Sequence, residues 1–312
     1  MQPQNVFGEI FNKTSEFMIL SITGASGFVG TNFKNDNPGY QIHDIDLLQI
    51  KPEDIEFKNS EVLVHLAALV HQMRGAPEQE YYKVNSDLAF ETAKHAKENG
   101  VKHFLFMSTV KVYGEYTDEG EPWKEGSSCF PLDPYGKSKL EGEQRVKELE
   151  DKNFTVSIVR TPLVYGPGVR ANMLNLMKLV NRYPVIPLGN INNKRSMTYV
   201  GNLVHLIEII IKKRKSGIFL ASDGEPVSTS FLVKEIAGKM AGNKKILPIP
   251  GFTQKALKAV KPDFHQRLFG DLVVDNQQTR EMLDWEPKYS FSQGIQFMVE
   301  AYLKSLKAKP GS

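Results

Sequence analysis

A short apolar run, Met18 to Thr23, feeds directly into the glycine loop Thr23-Gly24-Ala25-Ser26-Gly27-Phe28-Val29-Gly30, and a helix-forming stretch follows. Few folds accept a strand that turns through closely spaced glycines into a helix. A helix N-terminus presents unpaired N–H groups and partial positive charge, and glycines let a pyrophosphate approach that end closely. Gly24, Gly27 and Gly30 follow the spacing G-x-x-G-x-x-G. A glycine triplet alone is equally a flexible turn, but the strand before it and the helix after it mark the opening of a dinucleotide-binding β-α-β unit.

The chain then alternates. Tyr40 to Asp46 reads as a second strand, Glu61 to Ala68 as a buried strand and Ser86 to Asn99 as a helix stopped by Gly100. Lys102 to Ser108 is another strand, Tyr135 to Leu149 a helix, and Phe154 to Arg160 a strand running into Thr161-Pro162-Leu163-Val164-Tyr165-Gly166-Pro167-Gly168. Strands separated by helices predict a Rossmann-like, doubly wound parallel sheet covered on both faces, an α/β protein. An acid ending the second strand would accept hydrogen bonds from an adenosine ribose and repel a 2'-phosphate. Asp46 is the candidate, with Asp44 second, and it favours NAD without excluding NADP. After residue 170 the pattern loosens into a helix near Asn172 to Asn181, proline turns at Pro184 and Pro187, and short elements up to Trp285. Residues 18–170 are therefore expected to form the dinucleotide-binding domain, with some later segments returning to it, and 171–305 mostly a substrate-binding lobe.

Tyr135-Gly136-Lys137-Ser138-Lys139 places a phenol and an ammonium four residues apart, on one face of a helix. A free phenol has a pKa of about 10, and bringing it near 7 takes roughly 4 kcal/mol of preferential stabilisation of the phenolate. Lys139 can supply part of the positive charge and an oxidised nicotinamide the rest. The two motifs thus explain each other.

A chain of 312 residues, 41% hydrophobic and 24% charged, can bury a large core, and a net charge of +3 with scattered Lys and Arg is too mild for a nucleic-acid footprint. Cys129 is the single cysteine, and no Cys/His spacing resembles a zinc site, so no metal is expected and a reducing, cytoplasmic setting is the natural reading. The longest apolar run, Leu203 to Ile211, is broken by His205 and Glu208 and falls short of the roughly 20 residues a span needs, so no membrane partner is expected. Residues 1–17 lack the apolar segment of a signal peptide and read as an extension or an added leader.

Five motifs in order carry a resemblance: Thr23 to Gly30; His65-Leu66-Ala67-Ala68; Ser108-Thr109 with Val112-Tyr113-Gly114; Tyr135 to Lys139; and Arg160 with Tyr165-Gly166-Pro167. Together they resemble the extended short-chain dehydrogenase/reductases, and within them the nucleotide-sugar epimerase/dehydratase branch, from about Met18 to Tyr302. The resemblance implies that Thr109 is the catalytic hydroxyl residue, Tyr135 the acid/base and Lys139 the ribose-binding, charge-supplying lysine. It implies a cofactor site made of Gly24, Ser26, Gly27, Phe28, Val29, Gly30, Asp46, Leu66, Ala67, Ala68, Asn85, Ser108, Tyr135, Lys139 and Pro162. It also implies a nucleotide-sugar substrate, UDP-linked, that meets Thr109, Asn172, Arg195 and the pair Arg267 and Asp271. A homodimer is carried by analogy alone.

Within the branch, 4,6-dehydratases carry an Asp-Glu pair after the catalytic Thr, where this chain has Val110-Lys111. Without those carboxylates the elimination has no evident proton carrier. What remains is an NAD-dependent 4-epimerase acting through a 4-keto sugar in surface polysaccharide precursor synthesis, or an NAD(P)H-dependent 4-keto reductase; Asp46 tilts toward the first. A dinucleotide-binding protein that has lost catalysis is a third reading, opposed by Thr109, Tyr135 and Lys139. His71 is either a pocket residue or a solvated loop histidine, and Lys212 to Lys215 a solvated helix end.

Overall fold

The computed structural model describes residues 18–37, 39–70, 76–118 and 121–308. His71 and residues 1–17 lie outside the described residues. The elements run β1 (Met18–Thr23), α1 (Phe28–Asp36), β2 (Tyr40–Ile45), β3 (Val62–His65), α2 (Glu78–Tyr82), α3 (Leu88–Glu98), β4 (His103–Thr109), α4 (Pro134–Glu148) and β5 (Thr155–Thr161). They continue with β6 (Leu163–Tyr165), α5 (Ala171–Arg182), β7 (Val185–Ile186), β8 (Met197–Tyr199), α6 (Val200–Lys213) and β9 (Gly217–Leu220). The last are α7 (Thr229–Gly238), β10 (Lys245–Ile246), α8 (Gly251–Val260), α9 (Pro262–Phe269), α10 (Gln277–Leu283) and α11 (Phe291–Lys307).

The main sheet has the order β2-β1-β3-β4-β5-β9, and every pairing is parallel. Period-two alternation sorts its side chains. Leu20, Ile22, Val62, Val64, Leu105, Val159 and Phe219 face Phe33 of α1 and Leu203, Ile207 and Ile210 of α6. Leu63, Phe104, Phe106, Val156 and Ile158 face Ala89, Ala93 and Ala96 of α3 and Val146 of α4. Both faces are therefore buried, which is why these strands read as near-continuous apolar runs.

Strand order reverses where β1 lies between β2 and β3, and in open parallel sheets ligands bind outside the carboxyl ends of the strands at that switch point. The glycine loop leaves β1 there, and Leu66 to Ala68 leave β3 beside it.

Some details differ from the sequence expectation. The crossover between β2 and β3 holds only a 3-10 turn, Pro52–Asp54, and no α-helix. The helix expected from Ser86 begins as α2, passes through a π-helical turn at Lys83–Asp87 and continues as α3. Beyond residue 170 the chain is more regular than its prolines suggested. α6 covers one face of the main sheet and β9 extends its edge, while α5, α7 and α11 pack around a second core containing Tyr165, Met177, Tyr199, Ile236 and Ile295.

Candidate active site

Three elements converge on the site. β4 ends at Thr109, α4 presents Tyr135 and Lys139 over the same sheet face, and the loops after β1 and β3 flank the switch point. Asp133 starts α4 as a side-chain cap, accepting from Gly136 N at 2.7 Å, with Pro134 in the first turn, so the Tyr135 helix begins from a fixed point. Thr109 is buried; its hydroxyl accepts from Lys111 N at 3.2 Å and hydrogen-bonds the Tyr135 hydroxyl. Burial pushes the Tyr135 phenol up to about 12, with the Thr109 hydrogen bond pulling down and Asp133 pushing up. Left to its own protein groups, the tyrosine is a protonated acid.

Among the described residues, Lys139 is the one buried lysine. Its Nζ has no hydrogen-bond partner and sits 3.7 Å from the centre of the Phe106 ring. Desolvation lowers its pKa to about 7, opposed by the Glu143 carboxylate one helical turn on. A buried cation held by a ring face alone is an expensive arrangement, so an orphaned Nζ here points to a polar group that arrives with a ligand.

Glu143 is itself tied down: it accepts from Arg160 Nε at 3.1 Å and from the Arg160 terminal nitrogen at 2.5 Å, and Ser108 donates its hydroxyl to it. Arg160 also lies 4.6 Å from the Tyr113 ring. Ser108, expected to touch cofactor, thus commits its hydroxyl to the protein. The sequence reading passed over Glu143, although its i+4 spacing from Lys139 was the available signal.

The residues around the glycine loop fit a dinucleotide. A Cβ on Gly24, whose φ is +69°, would stand 2.7 Å from Ala67 N, and one on Gly30 would stand 2.6 Å from Ala25 Cα. Those contacts bring the two loops together and let α1 start without an intervening side chain; Gly27, its N-cap, makes no side-chain cap. Ser26 is exposed in the loop, while Phe28 and Val29 form the first turn of α1. Asn85, fully buried in the π-helical turn, clasps the loop after β3 by donating to Leu69 O and accepting from Leu69 N, and it also donates to Ser138 Oγ at 3.0 Å. Asp46 lies one residue past β2, exposed, with its carboxylate capping Leu48 N, whereas Asp44 is paired with Lys34 at 2.7 Å. Pro162 is buried between β5 and β6.

Where dehydratases carry two acids, Val110 is buried and Lys111 is an ion-pair partner of Asp133 and Glu115. Arg195, Asp271 and Arg267 come together, since both neighbours bear on the Arg195 charge, as does Glu115. Arg195 donates to Gly270 O at 3.0 Å, and Asp271 accepts from Lys194 N at 2.7 Å. Asn172 is exposed in the first turn of α5, next to Ala171 with φ 51°. Among the described residues, no group of three or more His, Cys, Asp or Glu could hold a metal ion, and no helix is long and apolar enough to cross a membrane.

A glycine cradle at the switch point of a parallel sheet, joined to a Thr-Tyr-Lys set on the neighbouring elements, defines a dinucleotide-dependent enzyme of the short-chain dehydrogenase class. The NAD dependent epimerase/dehydratase family model matches residues 20–220, and the chain belongs to that family. It is 36% identical to the UDP-glucose 4-epimerase of Vibrio cholerae, over 92% of this chain and 96% of that one. It is 30% identical to the N-acetyl-alpha-D-glucosaminyl-diphospho-ditrans,octacis-undecaprenol 4-epimerase of Escherichia coli O157:H7, over 73% and 75%. The fold matches a UDP-glucose 4-epimerase of Thermotoga maritima solved with UDP-glucose at a TM-score of 0.73 and 23% identity, covering 93% of this chain and all of the other. The chain is an NAD(P)-dependent nucleotide-sugar enzyme, and NAD is the cofactor of its family.

Proposed function

We propose that this protein is a UDP-sugar 4-epimerase acting on a UDP-hexose or UDP-N-acetylhexosamine through a 4-keto sugar, in the supply of surface polysaccharide precursors. The observation that carries the reading is the hydrogen-bonded Thr109–Tyr135 pair beside the orphaned Lys139 ammonium, with no carboxylate at positions 110 and 111 to serve an elimination. Both curated relatives described above are 4-epimerases, which favours this reading over a one-way reductase.

Bound NAD would accept hydride from the sugar carbon and return it, with no net redox change. Lys139 would hold its ribose hydroxyls, the glycine loop and α1 N-terminus its pyrophosphate, and Asp46 the adenosine ribose. Tyr135 takes the proton of the C4 hydroxyl as that carbon is oxidised and gives it back on reduction, with Thr109 hydrogen-bonding the same oxygen. A phenol at about 12 is protonated at neutral pH, so this reading needs added positive charge beside Tyr135, which Lys139 and an oxidised nicotinamide would supply together. Arg195, Arg267, Asp271 and Asn172 would take the diphosphate and nucleotide end; guanidinium forks suit phosphate oxygens.

The purified protein, incubated with UDP-glucose and with UDP-N-acetylglucosamine and no added NADH, is expected to yield the C4 epimers. Consumption of NAD(P)H only in the presence of a 4-keto sugar, without epimer formation, would replace this reading by the reductase; no turnover and no keto intermediate would favour the binding protein.

A further inference from the structure

We propose that the hairpin of α8 and α9 docks on an anionic lipid bilayer surface. Phe252, Ala256, Ala259 and Val260 recur along α8 at the i, i+4, i+7, i+8 spacing of a core-facing stripe, yet all four are exposed, Phe252 at 77% and Val260 at 76%, and no residue of α8 is buried. Phe264 on α9 and Leu247 just before α8 add further exposed apolar surface, at 53% and 48%. From Ile236 to Pro262 the chain carries six lysines and no carboxylate, although its net charge is only +3, so the remainder is net acidic. Lys255 and Lys258 lie along one flank of the apolar stripe and Lys261 joins the two helices.

An outward apolar face bordered by lysines is the pattern of a helix lying in the bilayer interface, the rings and aliphatic groups among the acyl chains and the ammonium groups among anionic headgroups. A second copy fits poorly, because a twofold contact would set these lysines against their equivalents, with Asp263 the single carboxylate that the hairpin sequence offers them. The sequence expectation of no membrane partner rested on the want of a spanning segment, and a helix on the surface needs none. Arg267 belongs to the same hairpin, so docking would hold the proposed diphosphate-binding residues near the headgroups.

Cosedimentation of the full chain with vesicles tests this, using phosphatidylcholine alone and an equal mixture with phosphatidylglycerol. Binding is expected with the mixed vesicles only and should weaken as salt rises. F252S/V260S is expected to lower the partition coefficient by about tenfold or more, and K255Q/K258Q by about fivefold per lysine, each with an unchanged melting temperature. Should the serine variant melt early, the lysine variant decides. No binding to mixed vesicles, equal binding to uncharged ones, or binding indifferent to the lysine substitutions would overturn the proposal; a dimer lost in F252S/V260S without vesicle binding would assign the face to a second copy instead.

Discussion

Two buried polar clusters, one around α4 and one where β6, β8 and α6 meet, look alike in residue type and differ in how completely they are satisfied. Around α4, Tyr135 has a raised pKa and Lys139 a lowered one, and the ammonium has no hydrogen-bond partner. Where β6, β8 and α6 meet, Tyr165 also has a raised pKa, with burial as the main cause, and Asp223 beside it is pushed up to about 6. There, however, the carboxylate accepts from Tyr165 at 2.9 Å, Tyr199 N at 2.7 Å and Asn202 at 2.8 Å, while Asn202 also donates to Tyr289 O. Displaced acidity therefore does not separate a working site from a structural knot. An unanswered buried charge does, because the protein supplies no partner and a ligand can.

The sharpest way to break that contrast is to remove one hydroxyl from each cluster. Tyr135→Phe is expected to lower kcat about a thousandfold while cofactor still binds, read from the rate of epimerisation and from cofactor retained after gel filtration. Tyr165→Phe should leave turnover within a few-fold and instead lower the unfolding midpoint, its loss being one buried hydrogen bond of about 1–2 kcal/mol. If the two variants behave alike, the distinction between the clusters fails.

Lys139→Met separates function from stability in one residue. A lysine whose folded pKa falls to about 7 from 10.5 opposes folding: the cost is full below about pH 7 and fades as pH rises toward 10.5. Replacing the ammonium with an apolar group of similar length should raise cofactor-free stability by about 2–4 kcal/mol at pH 7, while abolishing cofactor-dependent turnover. Denaturant melts at pH 7 and pH 10 check the sign, and a variant that is less stable than wild type at pH 7 would mean that Lys139 is answered by the protein after all.

How much of this could be read from the chain follows from how local each signal is. The glycine loop, the strands of the main sheet and the Tyr135 helix were legible because spacing and period are properties of neighbouring residues, and their limits fell within a few residues of the observed ones. α6 and β9 were not read as belonging with the main sheet, since nothing in Val200 to Leu220 says which core will bury it; only long-range packing on Leu20, Val159 and Phe219 decides that. Residues Lys83 to Asp87 form a π-helical turn because Asn85 is drawn into the loop after β3, a tertiary demand invisible in a helical window. Glu143 was one step from Lys139 by periodicity, but its partners Arg160 and Ser108 come from other strands. Asp223 carried no local signal at all: a lone acid after a strand, its three donors come from β6, β8 and α6.

The remaining expected effect belongs to the satisfied cluster and concerns pH. Asp223 has a folded pKa raised to about 6 from 3.8, so its unfolded form releases the proton first as pH rises. Its stabilising contribution is then present in full below about pH 3.8 and lost as pH rises through about 6, up to about 3 kcal/mol across that window. Other carboxylates titrate in the same range, which makes the comparison with Asp223→Asn the informative one. The amide keeps one oxygen for Tyr165 and Tyr199 N but turns its NH2 toward the Asn202 donor, so the variant should lose about 1–2 kcal/mol at neutral pH. It should also lack the decline in stability that wild type shows between pH 4 and pH 6. Urea midpoints for both proteins across that interval measure the difference between the two slopes, and parallel curves would show that the Asp223 carboxylate keeps an ordinary acidity despite its burial.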